Sequence, residues 1–194
     1  MGIRGQVRRP AVFLDRDGVI NRAFVRNGRP HPPPSLAEVE ILPDVPGALN
    51  ALRSRGYSLI VVTNQPDVAR GTLSRSVVDG IHERLQGELH FDAILTCFHD
   101  GADDCDCRKP KPGLLLRAAR DFGLDLASSF MVGDRWRDVE AGQRAGSRTV
   151  FIDRGYAERR PESYDYRVGS LLEAANIIVS LPPASQQDRE QDGR

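Results

Sequence analysis

The sequence predicts an α/β fold in which a parallel sheet lies between two layers of helices. Five short apolar runs, AVFLD (11–15), YSLIVVT (57–63), FDAILTC (91–97), SSFMVGD (128–134) and RTVFID (148–153), have the length and composition of strands buried on both faces. Segments with apolar residues at helical spacing separate these runs, and that alternation calls for right-handed crossovers between parallel strands. The expected arrangement is a three-layer α/β/α, Rossmann-like sheet, without a cap domain or with minimal loop inserts. Most of the runs close on a side chain with chemistry, at the edge where an open parallel sheet binds its ligands.

The elements follow in order. Asp15 ends the first strand, and Asp17 follows two residues on, with Gly18 permitting the turn that curls it back. The stretch from 21 to 35 is rich in Pro, Arg, Gly and Asn and reads as an irregular surface loop. Asp44 opens a helix with Pro46 in its first turn, with Val45, Ala48, Leu49 and Leu52 on one face and Gly56 at its close. The second strand ends at Thr63. Ser74 opens the next helix, whose Val77, Val78, Ile81 and Leu85 form a stripe. His82 lies beside that stripe and reads as a surface or satisfied helical histidine. The third strand delivers Cys97; a helix at 114–122, a strand ending at Asp134, a helix at 137–145 closed by Gly146, and the fifth strand come next. Residues 166–181 add a short edge strand and a last helix.

The 194 residues suffice for one sizeable core, so residues 1–181 are expected to form a single domain and the polar, proline-started 182–194 a disordered tail. Lys and Arg number 27, as do Asp and Glu, and this neutral balance gives no general grip on nucleic acid or on a membrane surface. The basic start runs straight into a strand without the apolar core of a signal peptide, and no run reaches transmembrane length. A cytoplasmic monomer is the expectation.

All three cysteines fall in CFHDGADDCDCRKP (97–110). Cys97, His99, Cys105 and Cys107 supply the number and kind of ligands that a closed, structural zinc site takes. Free buried cysteines, or one disulfide with a thiol left over, are the competing arrangements. At the strand ends, where Asn64 also lies, Asp15, Asp17 and Asp134 form a hard oxygen cluster suited to Mg²⁺, while Thr63 and Lys109 face them as a phosphate cradle. Taken singly, each has a plain structural reading: a turn-forming Asp, a strand Thr, a solvated Lys. Asp138 is equally a metal partner or a first-turn acid facing the helix dipole.

DRDG (15–18), VVTN (61–64), RKPKPG (108–113) and VGDRWRD (132–138) resemble, in order, the four motifs of the haloacid dehalogenase (HAD) superfamily of phosphatases. FLDRDGVIN, VTNQ and CDCRKPKPG, with the C-x-H arm of the cysteine loop, are similar to its zinc-loop branch, which acts on heptose bisphosphates and histidinol phosphate. The resemblance implies hydrolysis of a small phosphorylated sugar, foremost removal of the 7-phosphate from a heptose 1,7-bisphosphate. It implies Asp15 as nucleophile, Asp17 as acid and base, and Mg²⁺ on Asp15, the Asp17 carbonyl and Asp134. Thr63 and Lys109 would hold the phosphoryl oxygens, with Asn64, Gln65 and Arg108 on the substrate and a structural Zn²⁺ in the loop. Pro66-Asp67 replaces the usual Ser-Gly of that branch, and the 21–35 loop is longer than usual; both belong to the expected substrate wall. A phosphoacceptor signalling domain shares the Asp, Thr, Lys-Pro and Mg²⁺ in a different order, and a non-catalytic zinc module would show no turnover.

Overall fold

The computed structural model of the chain describes residues 8–182. Its main sheet contains β1 (Ala11–Leu14), β4 (Ser58–Asn64), β5 (Ala93–Cys97), β6 (Phe130–Gly133), β7 (Arg148–Ile152) and β8 (Tyr166–Val168), all paired in parallel, in the order β5-β4-β1-β6-β7-β8. The predicted α/β/α architecture is therefore present, edge strand included. Successive residues of a strand face opposite ways, so Val12 and Leu14 join one core and Ala11 and Phe13 the other. α1 (Val45–Ser54), α2 (Arg75–Leu89) and α5 (Leu171–Ser180) cover the first face, while α3 (Gly113–Phe122) and α4 (Trp136–Ala145) cover the second.

One expectation about local structure is corrected. The 21–35 segment is not an irregular loop: β2 (Phe24–Arg26) and β3 (Arg29–His31) form an antiparallel hairpin closed by Asn27 and Gly28, both at positive φ. An Asn-Gly pair favours this two-residue turn. The strands are only three residues long, mostly exposed and without apolar alternation, so they leave no strand pattern to read. The hairpin tip rests on the segment after β7, where the Ala157 amide donates to the Gly28 carbonyl at 2.8 Å. A 3-10 turn at Leu36–Glu38 follows it. Of the predicted tail at 182–194, residues 183–194 lie outside the described residues. Among the described residues, no helix is long and apolar enough to cross a membrane.

Candidate active site

β4, β1 and β6 are neighbours, and Leu14 stands in register with both Val61 and Val132. The residues just beyond those positions are therefore forced together: Asp15 after β1, Thr63 near the end of β4, Asp134 after β6. Lys109 enters from the loop after β5 and is buried, with 2% of its surface exposed. Its ammonium meets Oδ1 of Asp15 at 2.8 Å, Oδ1 of Asp138 at 2.6 Å and the Val62 carbonyl at 2.7 Å. Three N–H donors thus have three acceptors. Asn64 fixes the lysine's own peptide, since its Nδ2 donates to the Lys109 carbonyl at 3.0 Å and its Oδ1 accepts from the Lys109 amide at 3.1 Å.

The acids around that lysine are crowded. Burial and the Asp138 charge push the Asp15 carboxyl up to about 6, with Lys109 opposing. Asp134 is raised well above the ordinary carboxyl range by burial and by Asp15 and Asp138. Among the described residues, no donor meets either oxygen of Asp134 at hydrogen-bond geometry, although the Tyr156 hydroxyl lies beside them. Carboxylate oxygens of Asp15, Asp134 and Asp138 lie within 4.8 Å of one another. Buried carboxylates without donors are costly unless a cation joins them, and hard oxygen donors at this spacing fit Mg²⁺. Asp138 is a first-turn acid: its Oδ2 accepts from the Arg135 amide at 3.0 Å and caps α4, while its Oδ1 meets Lys109. Gly133 has no room for a side chain, because a Cβ there would collide with Asp138.

Asp17 stands apart from this cluster. The chain turns at Gly18, at φ 86, so the carboxyl lines the cleft but points into a set of donors. Arg16, Asn21 and Gln65 all donate to it. Burial alone would raise its pKa, but the Arg16 charge and these hydrogen bonds hold it below the usual carboxylate value. Gln65, expected at the substrate, is 1% exposed and spends its amide on Asp17 and on the Thr63 hydroxyl, each at 2.9 Å. Because Thr63 accepts there, its own hydrogen is left for a ligand in the cleft. Arg16 was given no role from the sequence, and His82, read there as a surface or satisfied helical histidine, is satisfied by Arg16 at 3.0 Å next to Asp17. The only signal for Arg16 was a basic residue between two acids.

The cleft above these residues holds about 240 Å³, the scale of a small polar ligand. Arg108, Arg137, Arg29 and His31 form its rim, with Pro66 and Asp67 on the wall. Arg70 and Arg135 also line it, but are neutralised by Asp100 and Glu158. Among the described residues, Arg29, Arg108 and Arg137 have no carboxylate partner, so the rim is locally positive. Arg108 donates to the His99 carbonyl at 3.1 Å, which ties the rim to the cysteine loop.

In that loop Cys97, His99, Cys105 and Cys107 converge as predicted. Separations are 3.6 Å for Cys97 Sγ to His99 Nδ1, 3.7 Å for Cys97 to Cys105, 3.4 Å for Cys105 to Cys107 and 3.2 Å for His99 Nδ1 to Cys107. The sulfurs are too far apart for a disulfide. Tetrahedral ligands about 2.3 Å from zinc stand roughly 3.8 Å from one another, so the four donors fit that ion.

Fold and site together define an α/β hydrolase of the phosphoryl-transfer class. Residues 106–174 match the HAD-hydrolase-like family model. The chain is 36% identical over 193 residues to the Escherichia coli D-glycero-beta-D-manno-heptose-1,7-bisphosphate 7-phosphatase, covering 93% of this chain and 96% of that protein. It is 40% identical over 159 residues to its Vibrio cholerae counterpart, covering 75% and 82%. A D,D-heptose 1,7-bisphosphate phosphatase from B. bronchiseptica, solved with magnesium and phosphate, superposes with a TM-score of 0.76 at 29% identity, covering 88% of this chain and 98% of that one. The chain belongs to the HAD-like family of the D-glycero-beta-D-manno-heptose-1,7-bisphosphate 7-phosphatases.

Proposed function

We propose that this chain is a phosphomonoester hydrolase that works through an aspartyl-phosphate on Asp15 and removes the 7-phosphate of a D-glycero-D-manno-heptose 1,7-bisphosphate. The observation that carries the reading is Asp15 held against buried Lys109, with the buried Asp134 carboxylate beside it. An oxygen of Asp15 attacks phosphorus and the bond from phosphorus to the sugar oxygen breaks, while Asp17, which takes up a proton as the anionic substrate enters the cleft, gives that proton to the departing alkoxide. Water then attacks the aspartyl-phosphate and passes a proton to the Asp17 carboxylate; the bond from phosphorus to Asp15 breaks, and inorganic phosphate leaves. The Thr63 hydroxyl donates to the phosphoryl oxygens, and the Lys109 ammonium beside Asp15 offsets their charge.

Asp15, Asp134 and the Asp17 carbonyl are the proposed holders of Mg²⁺, with Asp138 beside them. When bound, that ion neutralises charge on the carboxylates and on the transferring group. Cys97, His99, Cys105 and Cys107 are the proposed holders of a structural Zn²⁺, which keeps the loop bearing Arg108 and Lys109 in shape. The second phosphate of the substrate is assigned to the positive rim at Arg108, a planar donor suited to phosphate. A comparison of kcat/KM for heptose 1,7-bisphosphates, the matching monophosphates and histidinol phosphate tests the substrate. A bisphosphate preference supports the assignment, and equal or better use of histidinol phosphate overturns it.

A further inference from the structure

We infer that His82, outside the cleft, is a positioning residue for the acid–base step, acting through the buried guanidinium of Arg16. The inference rests on the reading of Asp17 as acid and base. Arg16 has no exposed surface and is one of the largest wholly buried side chains. One edge of its guanidinium forks onto Asp17: Nη2 donates to Oδ2 at 2.8 Å and to Oδ1 at 3.0 Å, and Nε donates to Oδ1 at 3.1 Å. The opposite edge, at Nη1, meets Nε2 of His82 at 3.0 Å. His82 projects from α2 and does not line the cleft.

The chemistry of the two groups fixes their roles. Arginine keeps its proton, so His82 must accept, with its own hydrogen on Nδ1. Burial and the Arg16 charge push the His82 pKa down to about 4, against Asp17 and Asp79 and with Arg75, which keeps the ring a neutral acceptor. A guanidinium anchored on one edge only can rotate about its own side-chain bonds. Anchored at Nη1 as well, it presents the fork at one fixed angle. Asp17 must exchange this fork for the departing sugar oxygen and return to it in every turnover. Gln65 and Asn21 complete the same cradle, at 2.9 Å each. Without His82 a buried Nη1–H is orphaned, Arg16 turns to find an acceptor, and Asp17 loses its fixed starting point.

A leaving-group comparison tests this on the full-length, zinc-loaded protein with Mg²⁺. The value of kcat/KM ends at departure of the leaving group, so it reports the proton given by Asp17 and not the later water step. An alkyl phosphate such as a sugar phosphate needs that proton, whereas p-nitrophenyl phosphate does not. General acid–base groups supply about 10²–10⁴-fold, so a misplaced one should lose roughly tenfold or more. His82→Leu is expected to lose that much on the sugar phosphate and far less on the aryl phosphate, and His82→Gln, which restores an acceptor, is expected to recover it. Should the leucine variant fold poorly, Arg16→Lys, which keeps the charge and removes the fork, should give the same selective loss. Equal losses on both substrates, no loss, or no recovery in His82→Gln would each overturn the inference. Asp17→Asn run alongside separates the two claims: selective loss there without selective loss at His82 defeats only the His82 role. No selectivity in Asp17→Asn defeats the acid–base reading and this inference with it.

Discussion

Replacing Asp134 by Asn should make the metal-free protein more stable and leave it unable to use magnesium. Asp134 is 2% exposed, meets no donor at hydrogen-bond geometry among the described residues, and shares its space with Asp15 and Asp138. Burial, ahead of the Asp15 and Asp138 charges, pushes the Asp134 carboxyl well above its ordinary range, and a buried group left short of donors costs about 1–3 kcal/mol, more when charged. An asparagine removes that charge but buries an incompletely bonded amide, which costs about 1 kcal/mol or more. A net gain of roughly 1–2 kcal/mol follows, or about 2–8 °C in melting temperature for a chain of this size. Magnesium at a hundred times its dissociation constant would add about 2.7 kcal/mol to the wild type and little to the variant. Calorimetry with and without MgCl₂ reads both effects, in buffers free of chelator so that the cysteine loop keeps its own ion. The order of stabilities should invert when the salt is added. A variant that melts below the wild type without magnesium, or gains as much from it, would refute the reasoning.

The pH dependence of the magnesium-free protein follows from the same group. Folded Asp15 binds its proton more tightly than the unfolded chain does, so its contribution is full below 3.8 and is lost as pH rises through about 6. Melting temperature should fall across that window in wild type and much less in Asp15→Asn, as scanning calorimetry at several pH values will show. Cys107→Ala should bring the zinc found by elemental analysis from about one ion per chain to nearly none and lower stability by about 4 kcal/mol or more, a loss typical of a removed metal. Full zinc content in that variant would remove Cys107 from the ligand set.

Much of the fold was legible because a parallel sheet buried on both faces leaves uninterrupted apolar runs. Val12 and Leu14, with Ala11 and Phe13, serve two cores at once and must all be apolar. The 24–31 hairpin was not legible, since strands of three mostly exposed residues carry no alternation; its one signal was Asn27-Gly28. Within the site, Asp15, Thr63, Lys109 and Asp134 could be placed together because each follows an apolar run or adjoins the cysteine loop. The work of Gln65, Arg16 and His82 could not. It depends on side chains 48 and 66 positions apart meeting beneath the strand ends, which spacing along the chain does not express. Asp138 is the intermediate case: the expected first-turn acid caps α4 with one oxygen, while its other oxygen meets Lys109, a contact that the sequence did not suggest.

The most direct test of the account is to trap the covalent intermediate. Protein quenched with borohydride during turnover of a sugar phosphate should carry homoserine in place of Asp15, because hydride reduces an acyl phosphate but not a free carboxylate. Peptide mapping by mass spectrometry should find that change only when substrate and Mg²⁺ are both present. An unmodified Asp15 under conditions of rapid turnover, or reduction at a different acid, would contradict the assignment of Asp15 as the residue that takes the phosphoryl group.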